Sequence, residues 1–285
     1  MTMFETREIK EKDLIRSVTA SIQTDVGCVR EANEDNGRHV IPGDEDILKR
    51  RGTLTIVADG MGGHASGEVA SQMAVELINE IYYSDMEKPP RDALEAAIKL
   101  ANAYIFETSI SDERYYGMGT TVVALVILED SAFAAHVGDS RLYHKNGRKL
   151  ERLTIDHSQV MELVKEGIIS LDEADDHEDK NVILRALGTQ AEVEVEVSEA
   201  IPVNLHDEFL LCSDGLCDML SDDEIRKIWF EAKDIHSARL NLISGAKQRG
   251  GHDNVTVGIV RVAPETRQNN PRGIKMTREM KGLEQ

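Results

Sequence analysis

Apolar residues along this chain switch between two spacings, and the switches divide it into elements. "VTASIQT" (18–24) and "TLTIVAD" (53–59) are rich in β-branched residues and are predicted as strands, joined by a charged connection containing Gly and Pro. From Ser66 the spacing becomes three and four. Val69, Ala70, Met73, Ala74, Leu77, Ile78 and Ile81 then share one face of a predicted helix that Ser66 is placed to cap. After the "KPPRD" break, Leu94, Ala97, Ile98, Ala101 and Ile105 form the buried stripe of a second helix. "GTTVVALVILED" and "SAFAAHVGD" return to strand character, and Asn146-Gly147 in "RLYHKNGRKLERL" signals a hairpin, so this stretch is predicted as a meander. "EVEVEVSEAI" (192–201) alternates strictly, which buries one face of a strand and leaves glutamates on the other. "DEFLLC" reads as a buried strand, two helices follow over about 222–232 and 235–249, and "NVTVGIVRV" closes the domain as a strand. Helices thus come in two pairs while strands dominate the middle. Two antiparallel sheets packed face to face, with a helix pair on each outer side, bury every stripe: a four-layer αββα sandwich of the α/β (α+β) class.

The chain has 285 residues, enough for one large domain, expected over 18–263. Residues 1–17 are charged and aperiodic and are read as a tail. From Pro264 the chain carries Arg267, Arg272, Lys275, Arg278 and Lys281 without apolar period, which predicts a disordered basic tail over 264–285. Residues 156–181 are acidic and weakly periodic, an excursion from the core. Three cysteines, Cys28, Cys212 and Cys217, are too few for a disulfide framework and suit a reducing compartment. No run approaches the roughly eighteen apolar residues of a membrane span, and the start lacks a signal-peptide core. A cytoplasmic protein is expected. The formal net charge of −19 argues against binding nucleic acid or anionic membrane and favours cations.

One local pattern recurs: an apolar run ending in Asp, followed by Gly or Ser. It stands at Asp59 ("IVADG"), Asp139 ("HVGDS") and Asp214 ("LLCSDG"), and in looser form at Asp253 ("GGHDN") just before a strand. Any one of these reads as a turn. Four at strand ends point to one shared site, and carboxylates gathered there repel one another unless cations occupy it. Ligation by oxygen alone, without paired His or Cys, suits Mg²⁺ or Mn²⁺ rather than zinc.

"TDVGCVREANED", "VADGMGGHASGEVAS", "GMGTTVVALV", "HVGDSRLY", "VILRALG", "LLCSDGLCD" and "GGHDNVTVGIV" follow one another in an order and spacing that resembles the bacterial metal-dependent protein serine/threonine phosphatases, the PPM or type 2C family. The resemblance runs from about residue 18 to 262 and implies the same sandwich fold. It implies hydrolysis of phosphoserine and phosphothreonine on proteins by a metal-bridging hydroxide, without a phosphoenzyme, using two to three Mn²⁺ or Mg²⁺ ions. By position, Asp59 resembles the carboxylate shared by two ions, and the Gly60 carbonyl a ligand of one. Asp214 and Asp253 resemble ligands of the other ion, and Asp139 that of a third. Asp35 resembles the acid that holds metal-bound water, and Arg30 the phosphate-binding arginine. His64 is a candidate general acid, displaced along the chain by the inserted "MGG". The excursion at 156–181 matches the family's flap. There His177 is the candidate substrate contact, followed by Glu178, Asp179 and Lys180 where relatives often have Pro and a basic residue. Phosphorylated proteins, a serine/threonine kinase and its substrates are the implied partners, and a monomer is expected.

Two readings compete. A catalytically silent relative that binds phosphoproteins or scaffolds a kinase would have lost ligands, and every expected ligand is present. A nucleotide-binding loop at "GMGG" would need a following Lys-Ser/Thr, which is missing.

Overall fold

The computed structural model describes residues 16–62, 66–175 and 177–264. The strands, numbered in chain order, are β1 (Arg16–Asp25), β2 (Asp35–Val40), β3 (Thr53–Met61), β4 (Gly119–Thr120), β5 (Val122–Leu128), β6 (Ser131–Val137), β7 (Arg141–Asn146), β8 (Lys149–Arg152), β9 (Glu196–Val197), β10 (Ile201–Pro202), β11 (Glu208–Cys212) and β12 (Val255–Pro264). The helices are α1 (Glu45–Arg51), α2 (Ser66–Ser84), α3 (Pro90–Ser111), α4 (Gln159–Lys165), α5 (Leu171–Asp175), α6 (Asp214–Cys217), α7 (Asp222–Glu231) and α8 (Ile235–Gln248). One sheet has the order β1-β12-β11-β7-β8, and the other β10-β6-β5-β3-β2 with β4 and β9 paired at its margins.

The side-chain period of two builds the layers. Leu54, Ile56 and Ala58 of β3 face α2 and α3, together with Val122, Ala124 and Val126 of β5. Leu210 and Cys212 of β11 face α7 and α8, while Phe209 and Leu211 turn the other way, against Val57, Val123 and Leu125 of the second sheet. Adjacent residues of a fully buried strand therefore serve two different cores, as a four-layer sandwich requires.

Four expectations change. The stretch after Thr24 is not just a connection: it contains β2 and α1. β2 ("DNGRHV") is a half-buried margin of its sheet and carries no hydrophobic period to find. The meander is split, because β5 and β6 lie in one sheet and β7 and β8 in the other, and the chain crosses between sheets at Gly138–Ser140. Gly138 has φ +106°, and a Cβ there would sit 2.6 Å from Thr121 Cγ2, so the crossing needs glycine. The alternating run 192–201 keeps its alternation in burial but forms only the short β9 and β10. At Ser198 the side-chain Oγ, not a backbone carbonyl, accepts the Ala134 N–H at 3.0 Å, which breaks the ladder. Finally, Arg16 and Ser17 belong to β1, with Arg16 opposite Pro264, so both expected tails give up residues to an edge pairing. The rest of those tails lies outside the described residues.

Candidate active site

Asp59 lies inside β3, opposite Asp35 of β2 in the antiparallel register, rather than where the strand leaves the sheet. Its backbone is fastened independently of its side chain: the amide donates to Thr121 Oγ1 at 3.1 Å, and the carbonyl accepts from Thr121 N and Thr120 Oγ1, each at 2.8 Å. The following Gly60 has no room for a side chain, since a Cβ would meet the Gly67 carbonyl oxygen at 2.1 Å. That contact holds the strand against the start of α2.

The other sheet supplies Asp214, at the start of α6 just beyond β11, and Asp253, just before β12. Gly215 makes the same kind of close approach, its missing Cβ 2.0 Å from the Asn254 carbonyl oxygen, and so brings these two segments together. The carboxyl groups of Asp59 and Asp214 meet, and Asp35 joins them. Asp35 is bolted across the sandwich: its Oδ2 accepts from Ser213 Oγ and from Thr256 Oγ1, each at 2.7 Å. Asp139 stands in the crossing loop and lines a cavity of about 790 Å³ with Asp214, Asp218, Arg141 and, from the flap, Lys180 and Asn181.

The electrostatics are those of a crowded anionic centre. Burial, then neighbouring carboxylates, push Asp59 and Asp214 well above the ordinary range. Burial raises Asp35 to about 6 against the pull of its two hydroxyl donors, and burial with Asp156 nearby raises Asp139 to about 7. Asp35 Oδ1, Asp139 Oδ1 and Asp214 Oδ1 are buried and have no hydrogen-bond partner. Orphaned acceptors of this kind are destabilising by about 1–3 kcal/mol each and are what a hard cation satisfies. The donor set therefore fits divalent ions of the Mg²⁺ or Mn²⁺ type.

Arg30 sits at the rim, half exposed, its Nη2 2.7 Å from Asp253 Oδ2. Asn254 secures that loop, donating from Nδ2 to the Val26 and Ala32 carbonyls and accepting the Glu34 amide. His177 is not brought to the cluster. It lies in the flap, where its Nδ1 accepts the Asp179 amide at 3.1 Å, and it is the neighbouring Lys180 and Asn181 that line the cavity. His64 lies outside the described residues. Sequence reasoning passed over Asp218, four residues after Asp214 and joined to it by an N–H to carbonyl bond of 2.8 Å, so that both carboxylates serve one helical face. That i, i+4 spacing in "SDGLCD" was a usable signal. Also passed over was the bidentate Arg141–Asp156 pair, 2.6 Å at its shortest, which underlies Asp139.

Fold and site together define an αββα enzyme with a carboxylate centre for divalent cations. The sequence matches the family model of protein phosphatase 2C over residues 32–241, and the chain belongs to that family. The serine/threonine phosphatase stp of Listeria monocytogenes serotype 4b is 38% identical over 247 residues, covering 85% of this chain and 94% of its own. Among solved structures, the serine/threonine phosphatase PstP/Ppp of Mycobacterium tuberculosis superposes with a TM-score of 0.75 at 33% identity, covering 86% of this chain and 98% of the other. The catalytic domain of serine threonine protein phosphatase PstP in complex with two manganese ions gives 0.72 at 32% identity, covering 87% and 100%.

Proposed function

We propose that this chain is a metal-dependent phosphatase that hydrolyses phosphoserine and phosphothreonine on proteins. The observation that carries this reading is the set of three orphaned carboxylate oxygens, on Asp35, Asp139 and Asp214, buried around Asp59. Two to three Mn²⁺ or Mg²⁺ ions would be held by Asp59, the Gly60 carbonyl, Asp214 and Asp253, with Asp139 and Asp218 serving the third. Bound there, they supply Lewis acidity and neutralise phosphoryl charge. Arg30 supplies a planar fork at the rim, free to exchange Asp253 for phosphoryl oxygens. Asp35, held at Oδ2 by two hydroxyls, keeps Oδ1 to accept a proton from water in the centre. His64 remains the candidate acid for the leaving alkoxide.

A covalent route through the two cysteines nearest the carboxylates is disfavoured: Cys212 is buried, and the Cys217 thiol is driven well up by its contact with Cys212 and by burial. Phosphorylated proteins are the substrates, a serine/threonine kinase acting on the same proteins is the proposed partner, and the enzyme is proposed to be a cytoplasmic monomer. In support, no helix among the described residues is long and apolar enough to cross a membrane.

The test is hydrolysis of a phosphothreonine peptide before and after exhaustive chelation. Activity should vanish with the cations and return with Mn²⁺. Turnover that survives chelation would refute the metal-dependent reading, and a folded protein inactive at saturating Mn²⁺ would favour the silent phosphoprotein-binding alternative.

A further inference from the structure

The crossing loop that carries Asp139 is held by a residue the reaction does not use. His157 follows β8 at the base of the flap and is 8% exposed. It takes both polar groups of Gly138: its own amide donates to the Gly138 carbonyl at 2.9 Å, and its Nδ1 accepts the Gly138 N–H at 3.1 Å. Because a backbone N–H can only donate, the imidazole proton belongs on Nε2, which lies 3.3 Å from Glu196 Oε2 of β9. The ring is further fixed by stacking on His136, at 4.5 Å between centroids and 17° between planes. His136 in turn donates from Nε2 to the Ile155 carbonyl at 2.9 Å. On its other side the loop is gripped by Thr121, whose Oγ1 lies 2.7 Å from Ser140 Oγ and accepts the Asp59 amide.

His136, His157 and Glu196 have ligand atoms within 4.8 Å of one another, a spacing that would admit a metal ion. Two features turn the cluster away from that use. Nearly parallel rings send their in-plane lone pairs along separate planes, so they do not converge on one ion. Both nitrogens of His157 are also already engaged, one as acceptor and one as donor.

We infer that His157 is a positioning residue for Asp139. By accepting the Gly138 amide with Nδ1, in the tautomer that Glu196 selects, it fixes the one backbone unit that aims the Asp139 carboxylate into the cation centre. The inference rests on the reading of Asp139 as a ligand of the third ion.

Two amide variants separate the ring's two nitrogens. His157→Asn places Oδ1 where Nδ1 stands and keeps an acceptor for Gly138, whereas His157→Gln reaches the Nε2 position and leaves the Gly138 N–H without one. In the full-length, metal-free protein, the Gly138 amide should exchange with solvent at the wild-type rate in the Asn variant and faster in the Gln variant. Loss of an outer partner of a ligand typically weakens metal affinity ~10–100-fold. The Mn²⁺ concentration for half-maximal activation, and for filling the weakest site in equilibrium dialysis, should therefore rise at least ~10-fold in Gln and stay within about twofold of wild type in Asn. KM for an aryl phosphate should be unchanged in both. Asp139→Ala is the control. If Asp139→Ala leaves Mn²⁺ binding unaltered, the ligand reading fails. If Asp139→Ala shifts binding while the Asn and Gln variants behave alike, or Gln keeps the wild-type Mn²⁺ dependence, the role given to His157 is wrong.

Discussion

Replacing Asp59 with Asn separates a metal centre from a capped turn, because the two readings predict opposite changes in stability. In the metal-free protein the Asp59 carboxyl packs against those of Asp35 and Asp214, and its acidity is depressed by burial first and by both neighbours next. The backbone at 59 is held by Thr120 and Thr121 whatever the side chain. An Asn amide at the same place offers donors to carboxylate oxygens, among them the orphaned Asp214 Oδ1. Satisfying one such acceptor should stabilise the metal-free protein by about 1–3 kcal/mol. For a domain of this size that is a rise of roughly 2–12 °C in the thermal midpoint. With Mn²⁺ the order should invert. A cation at about one hundred times its Kd adds about 2.7 kcal/mol per site to the wild type. The variant, lacking the shared ligand, gains little. Hydrolysis of both a phosphopeptide and an aryl phosphate should be lost throughout.

The assay is a pair of melting curves for each protein, one with chelator and one with saturating Mn²⁺, beside the two activity measurements. If Asp59 merely caps a turn, Asn replaces it well and neither curve moves. An Asp59→Asn protein that melts below wild type in chelator, or that keeps near-normal turnover in Mn²⁺, would refute the reasoning.

Arg30→Ala should act mainly on KM. A charge-assisted contact with the phosphoryl group is worth about 1.5–3 kcal/mol, from which the exposed pairing with Asp253 that it must give up subtracts about 0–1. The net loss of about 0.5–3 kcal/mol is roughly 2–160-fold in kcat/KM, read from steady-state kinetics. An unchanged KM would return Arg30 to the solvated surface. The acidity of Asp139 gives a pH dependence with a defined sign. Raised to about 7 from the ordinary 3.8, it binds a proton in the folded protein that the unfolded chain has released. That contribution is fully present below the unfolded value and is lost as pH rises through about 7, so the chelated protein should be less stable at about pH 8 than at about pH 6. Cations must displace the same proton, so calorimetry in two buffers of different ionisation enthalpy should register proton release at about pH 6 that disappears near pH 8.5. Equal proton release at both pH values would contradict this assignment.

What was legible in the sequence follows from how local each signal is. The helices α2, α3, α7 and α8 carry apolar stripes within one element, and their periods place them within a residue or two. Asp59, Asp139, Asp214 and Asp253 were legible because each touches an apolar run that announces a strand. Asp35 was different. Its strand, β2, has no hydrophobic alternation, and its anchors Ser213 and Thr256 are far away in the chain, so only the resemblance pointed to it. The crossing at Gly138 was missed for a related reason. Each hairpin is written in its own residues, but nothing in either says which sheet it joins.

That non-local part is also what gives the site its geometry. In the β2–β3 register Asp35 stands opposite Asp59, so one sheet alone fixes those two relative to each other. Asp35 is then tied by Ser213 and Thr256 to the ends of β11 and β12, the same ends that carry Asp214 and Asp253. Asp139 enters from the loop that passes between the sheets, and Thr121 joins Ser140 of that loop to the Asp59 amide. Hydroxyl bridges of 2.7 Å thus tie Asp35 and the Asp139 loop across the sheets, while the close backbone contacts at Gly60 and Gly215 set spacings within each half. A Cβ at Gly60 would push β3 away from the start of α2, and one at Gly215 would part the segments that carry Asp214 and Asp253. Those glycines flank Asp59 and Asp214 because the distance between carboxylates is set by backbone approach, which a side chain at that point would forbid.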